Sequence, residues 1–231
     1  DATLWQVRWL TGDNSVSSPV TALAAVRAID VLPDAAQRLR VRSMFFQALR
    51  DTGRDYNNSA SPYAGDYSRG YKTIELLFPG SDELDARGRS LRYDGELNLF
   101  ASRVKTESGG DIEFMVPGGQ AVIGLAQIAD ALTKYTSGAT AQLGMVTVEQ
   151  GAIRGFARED ILVNRSRILS VGGGDVLLWS SEADIDAGKG KRTATTVPPP
   201  IIKTDSSGNV TVELQGVATG SGIGALAGQP G

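Results

Sequence analysis

The chain has 231 residues, with 23 basic and 26 acidic side chains and a formal charge of −3, so no electrostatic signal points to nucleic acid. It contains no cysteine and no histidine, which excludes disulfide staples, thiol ligands, the commonest zinc ligand and any Ser–His or Cys–His catalytic pair. A chain of this length buries roughly 70–75% of its unfolded surface, enough for a core without staples.

No apolar run approaches the ~18 residues of a membrane helix, and no signal peptide opens the chain. A chain that begins at Asp1 and closes on Gln229-Pro230-Gly231 reads as a piece of a longer precursor. Residues 2–10 alternate well enough for a strand, with Trp5 and Trp9 on one face. Such a pair fills a core, or stacks on a sugar ring. Val20 to Val31 is apolar and fits a short helix or a buried strand equally. Pro33 then opens a helix, with Asp34 at its positive end and Gly53 as its stop. Ala35, Leu39, Phe45, Phe46 and Leu49 make its apolar face. Arg38, Arg40, Arg42 and Arg50 crowd the same helix and read as a solvated face.

A polar loop over residues 55–65 leads to a second helix, from an Asp66 cap to a Pro79 stop. Its stripe of Tyr67, Tyr71, Ile74 and Phe78 reads as core. Tyr63 and Tyr67, with Trp5 and Trp9, are the candidate glycan contacts. Residues 81–89 form a charged linker.

From residue 90 the period changes to two. Strands are expected at 92–100, 103–106, 111–116, 120–125, 144–149, 153–156, 161–164, 167–171 and 175–179, with a further run at 184–188. Over 125–135 a helical pattern competes with a strand and an inserted loop. Gly95, Gly110 and Gly174 each open a Gly-acidic-apolar-any-apolar pattern, and Gly151 opens a looser one. These starts step by 15, 41 and 23 residues, and 41 is close to two coils of about 20. Four or five coils then fit between 93 and 190. The pattern fits a β-solenoid, or an ordinary antiparallel sheet with glycine-rich turns. Asn164 is a candidate for a side chain stacked along the coil axis, or a plain turn residue. Pro198-Pro199-Pro200 is stiff and extended, and residues 201–204 and 210–214 flank a five-residue loop as a β-hairpin. The tail from Ala218 is glycine-rich and mobile unless it docks.

Three stretches carry a resemblance. They are Asp94 to Phe100 with Gly109 to Ile112; Asp160-Ile161-Leu162-Val163-Asn164-Arg165-Ser166-Arg167; and Gly172 to Gly190, which contains Trp179, Asp184 and Asp186 and is followed by the three prolines. Together these resemble a domain of large bacterial surface proteins of the filamentous haemagglutinin type, over about residues 90–224. The resemblance implies a right-handed parallel β-helix, export through a dedicated outer-membrane secretion partner, an extracellular or cell-surface location, and adhesion or surface structure.

The sequence therefore predicts a mainly β chain in three parts. Residues 1–89 form a strand and two-helix subdomain, 90–190 a right-handed parallel β-helix (β-solenoid) segment, and 191–231 a proline-rich extension with a C-terminal β-hairpin. Gly95, Gly110, Gly174, Trp179, Asp184 and Asp186 are assigned to the structural repeat. The expected role is a structural or adhesive segment, including a self-assembling fibre subunit. Its partners are neighbouring segments or copies, the secretion partner, and host or bacterial surface glycans. A carbohydrate-binding module ranks second. A glycan-cleaving enzyme ranks third, because Glu96, Asp111, Glu113 and Asp175 recur with the repeat rather than as a catalytic pair. Asp184 and Asp186, with Asp175 or Glu182, lack the spacing of calcium repeats and suit turn chemistry, so no metal or cofactor is expected.

Overall fold

The computed structural model describes residues 33–78, 84, 86–89, 92–100, 102–124, 143–188, 201–204, 210–213 and 221–226. The chain forms two compact units, Asp1–Arg92 and Tyr93–Gly231. The expected strand at 2–10, the segment 20–31, and the contested stretch 125–135 lie outside the described residues.

The first unit contains α1 (Asp34–Tyr56) and α2 (Ser68–Leu77). Helix α1 starts after Pro33, whose missing N–H costs nothing in the first turn. Phe45, Phe46, Ala48, Leu49 and Thr52 are buried, all in its C-terminal half. Leu39 is 56% exposed, so the expected apolar face ends short of it. Gly53 does not stop the helix. The Thr52 hydroxyl donates to the Ala48 carbonyl at 2.8 Å, and Asn57 Nδ2 closes the last turn on the Gly53 carbonyl at 3.0 Å. Ile74 of α2 is buried, and Phe45 meets Phe46 and Phe78 edge-on at centroid distances of 5.3 and 5.7 Å.

The second unit is mainly β. Its strands are β1 (Leu97–Asn98), β2 (Arg103–Thr106), β3 (Ile112–Val116), β4 (Ala121–Val122), β5 (Gly144–Thr147), β6 (Ile153–Ala157), β7 (Ile161–Leu162), β8 (Arg167–Val171), β9 (Val176–Ser180), β10 (Ile185–Asp186), β11 (Ile201–Thr204), β12 (Val210–Glu213) and β13 (Gly222–Leu226). The first sheet has the order β1-β4-β7-β10, the second β2-β5-β8-β13, and the third β3-β6-β9. Every pairing in them is parallel. The chain thus visits the three sheets in one fixed rotation. Among the described residues only β11 and β12 pair antiparallel, as the expected hairpin.

Register partners in the first sheet, Leu97, Ala121, Ile161 and Ile185, step by 24, 40 and 24 residues. In the third sheet Ile112, Ile153 and Val176 step by 41 and 23. One circuit is therefore 23–24 residues, not about 20. The 41-residue step is a single circuit with an excursion between β4 and β5, not two coils. A longer excursion, carrying the hairpin, leaves between β10 and β13, at the same corner. Residues 222–226 are not a free tail, because β13 pairs with β8 along its whole length.

Alternation sends one face of each strand into a common core. Ile112, Phe114, Val116, Ala121, Ile123, Met145, Ile153, Ala157, Ile161, Val163 and Ile168 form it. Size complementarity runs along the ladder. The Phe114 ring occupies the space where Gly155, its register partner, would carry a Cβ. The second sheet is apolar on its other face too, where Val146, Val148 and Leu169 cluster with Val171 and Leu226.

The corner between the second and third sheets explains the repeated glycine. A Cβ on Gly151 would overlap the Gly110 carbonyl, and one on Gly174 would overlap the Gly151 carbonyl. Hydroxyls on the preceding strand bind the same corner. Thr106 donates to the Gly110 carbonyl at 3.0 Å, Thr147 to Gly151 at 2.5 Å and Ser170 to Gly151 at 2.9 Å. Gly95 does not belong to this set. It precedes the first sheet, and it is glycine because its φ is +114°.

Gly174→Ala is expected to destabilise the second unit by about 2–3 kcal/mol, because the blocking atom is backbone and cannot swing away. Gly53→Ala is expected to stabilise the first unit by about 0.5–1 kcal/mol, as a helix-interior glycine replaced in open space. Urea unfolding of both variants checks the opposite signs.

Candidate functional site

Two of the four aromatic candidates, Tyr63 and Tyr67, lie among the described residues of the first unit. Residues 57–67 fold back so that the Gly65 N–H reaches the Tyr56 carbonyl at 3.0 Å, with Gly65 at φ +74°. Asn58 Oδ1 accepts from the Ala60 N–H at 3.1 Å, and Ser61 Oγ from the Tyr63 N–H at 3.2 Å. This fold brings Tyr67 flat against Tyr56, with centroids 3.9 Å apart and planes 6° from parallel. The Arg69 guanidinium lies 3.9 Å over the Tyr63 ring and is held there by an ion pair with Asp55. Tyr63 and Tyr67, predicted from the sequence, thus share one surface. Tyr56 and Arg69 belong to it and were not predicted. Their signal is the Asp55–Arg69 pair, which is long-range in sequence. The Tyr67–Tyr71 stripe is not core as expected. Tyr71 is 47% exposed, because the short α2 buries only its Gly70–Ile74 side. Trp5 and Trp9 lie outside the described residues.

Asp66 fixes the start of α2. Its carboxylate accepts from the Ser68 N–H at 2.7 Å and the Ser68 hydroxyl at 2.9 Å. These two bonds, in that order, hold its pKa below the ordinary 3.8.

The repeat residues on the second unit do structural work. Trp179 stands in the ladder Met115–Phe156–Trp179, and its indole N–H reaches Ser181 Oγ at 3.2 Å. The Asp186 carboxylate accepts from the Gly188 N–H at 2.8 Å, while the Asp184 N–H donates to Asp160 Oδ1 of the previous circuit at 3.0 Å. Both are turn chemistry at circuit corners. Asn164 is at once turn and tie: its φ is +55°, and its Nδ2 donates to the Gly124 carbonyl one circuit away at 2.8 Å.

Arginines missed by sequence reasoning link the circuits. Arg154 reaches Asp111 at 2.5 Å and Glu113 at 2.7 Å on the circuit before. Burial pulls its pKa down, but the bonds to Asp111 and Glu113 outweigh that and raise it. Arg158 is buried, donates to the Pro117 carbonyl at 2.7 Å and pairs with Glu182 of the next circuit at 3.0 Å. In the second sheet Arg103 and Arg167 flank Gly144 in the ladder, and burial, then repulsion from Arg103, pushes the Arg167 pKa down.

The second unit is, in class, an assembly of three parallel sheets with apolar ladders inside and charged ties outside. Residues 173–231 match the model of a family described as filamentous haemagglutinin family outer membrane protein. That span holds β9, β10, the hairpin and β13, and it is filamentous haemagglutinin-like. The match supports a surface exoprotein segment, cell-surface or secreted. No curated protein and no solved structure matches the chain.

The depressed pKa of Asp66 has a signed consequence. Its contribution is fully present above the unfolded value and is lost as pH falls through the lower folded value. Amide exchange at Ser68 and the next residues of α2 is therefore expected to accelerate as pH falls below 3.8, after correction for the intrinsic rate, and Asp66→Asn should remove most of that acceleration.

Proposed function

We propose that residues 93–226 form a right-handed parallel β-helix and serve as a rigid structural segment of a secreted or surface-attached bacterial exoprotein. The observation that carries this reading is the rotation of the chain through three parallel sheets. Each circuit closes its hydrogen bonds on its neighbours and shares one apolar interior. The right hand follows the strong preference of parallel crossovers. The role is non-catalytic: the carboxylates Asp111, Glu113 and Glu182 are tied to arginines of adjacent circuits, which suits rigidity. Its partners are neighbouring segments of the exoprotein and the outer-membrane secretion partner. Adhesion comes from loops and from the first unit, not from the coils.

A carbohydrate-binding role is the second reading, favoured by the Tyr56, Tyr63, Tyr67 and Tyr71 surface. Tyr63→Ala with Tyr71→Ala is expected to abolish glycan-array binding while leaving the unfolding of the second unit unchanged.

The absence of native cysteine makes the main reading testable. Val122 and Leu162 are register partners on adjacent strands. Neighbouring strands lie about 4.8 Å apart, within reach of a disulfide. Val122→Cys with Leu162→Cys should oxidise readily, and Val122→Cys with Ile161→Cys should not, since Ile161 points inward. Equal oxidation of both pairs would contradict the stacked parallel circuits.

A further inference from the structure

The last layer of strands is unfinished. Among the described residues no strand pairs with the outer edge of β9, β10 or β13. Ile185 stands in the ladder of Ala121 and Ile161, both fully buried, yet it is 42% exposed. Val176, Leu178 and Ile223 on the same layer pack against the core but are only partly buried. In the third sheet the first circuit differs, because Ile112, Phe114 and Val116 are buried there, although Leu97 and Leu99 of the same circuit are also only partly buried. The final layer therefore presents an apolar slice of core beside open backbone edges, which is a template for a further strand.

Charge indicates what strand that is. Along the third sheet the circuits alternate: Asp111 and Glu113, then Arg154 and Arg158, then Asp175 and Glu182. Arg154 forms ion pairs with Asp111 and Glu113 of the circuit before, and Arg158 with Glu182 of the circuit after. The exposed rim of the last layer is acidic, with Asp175, Glu182 and Asp184. A second copy of this chain stacked head to tail would place its Asp111 beneath Asp175, acid on acid.

We propose that this last layer is a docking edge for a basic, apolar-alternating parallel β circuit supplied by another polypeptide segment, and that a second copy of this chain is not its occupant. The proposal rests on the parallel β-helix reading. Its occupant carries apolar side chains at the inward positions and arginine or lysine opposite Leu177 and Ser181, the positions at which Arg154 and Arg158 stand in the middle circuit, beside Asp175 and Glu182. The middle circuit of this chain has that chemistry and serves as a probe.

The test uses the full chain and a fluorescent synthetic peptide with the sequence of residues 144–167, read by anisotropy. The peptide is expected to bind. A version with Arg154→Glu and Arg158→Glu should bind about tenfold more weakly, the scale of two exposed charge pairs. Ile185→Lys in the full chain should weaken the native peptide by a similar factor. Equal binding of both peptides, or no binding, overturns the proposal. So does a concentration-dependent dimer in sedimentation that Ile185→Lys abolishes, since a copy then fills the edge. Hydrogen exchange on the same sample separates the two levels. Protected amides in β5 to β8 without peptide binding reject the docking edge alone, whereas unprotected amides there reject the β-helix reading itself.

Discussion

The structure of the second unit depends on one close approach, that of stacked backbones at the corner between its second and third sheets. Gly110, Gly151 and Gly174 follow one another at that corner, and Gly151 and Gly174 each lie so near the carbonyl of the glycine in the circuit before that no side chain fits. A hydroxyl on the incoming strand, Thr106, Thr147 or Ser170, binds a corner carbonyl in each circuit. With the corner set, the strands that follow fall into register, and register decides everything else. A slip of one residue would turn Ile153 and Ala157 outward and Arg154 and Arg158 into the core. Burying either cation without its partners costs far more than any single contact gains.

Packing and charge then share the work between inside and outside. Inside, the ladders combine residues of unequal size, as where Phe114 fills the space left by Gly155. Outside, the arginines of the middle circuit reach both neighbours, which ties three layers through two side chains. This division suits a rigid structural part. Excursions are confined to one corner, so added chain does not disturb the ladders. The aromatic surface of the first unit is a separate matter, built by a turn of local hydrogen bonds and held by one ion pair, Arg69 to Asp55.

Much of this was legible in the sequence, and the failures have physical causes. Strands β2 and β8 begin and end where alternation places them, and the hairpin sits where two alternating runs flank a polar loop. Parallel pairing was implied by the family resemblance, whereas the repeated glycines alone left an antiparallel sheet open, and their phase was misread. Gly95 carries the same local grammar as Gly174 but serves a positive φ before another sheet, and grammar alone cannot tell a positive-φ turn from a close approach. The 41-residue step looked like two coils because an excursion of nearly one circuit's length hides in it. Gly53 looked like a helix stop, but tertiary packing of Phe45, Phe46 and Leu49 carries the helix past it. Tyr67 and Tyr71 looked like core because spacing reports a face, not what lies against it. The inter-circuit arginines were invisible, since their partners lie 24 to 43 residues away.

The central claim is that successive circuits stack as parallel strands in register. Nuclear Overhauser contacts among Phe114, Gly155 and Leu178 test it most directly. The account predicts amide-to-Hα contacts along this ladder with the spacing of parallel strands, and none of the short Hα–Hα contacts of antiparallel pairs. Strong Hα–Hα contacts between β3 and β6, or between β6 and β9, would contradict it.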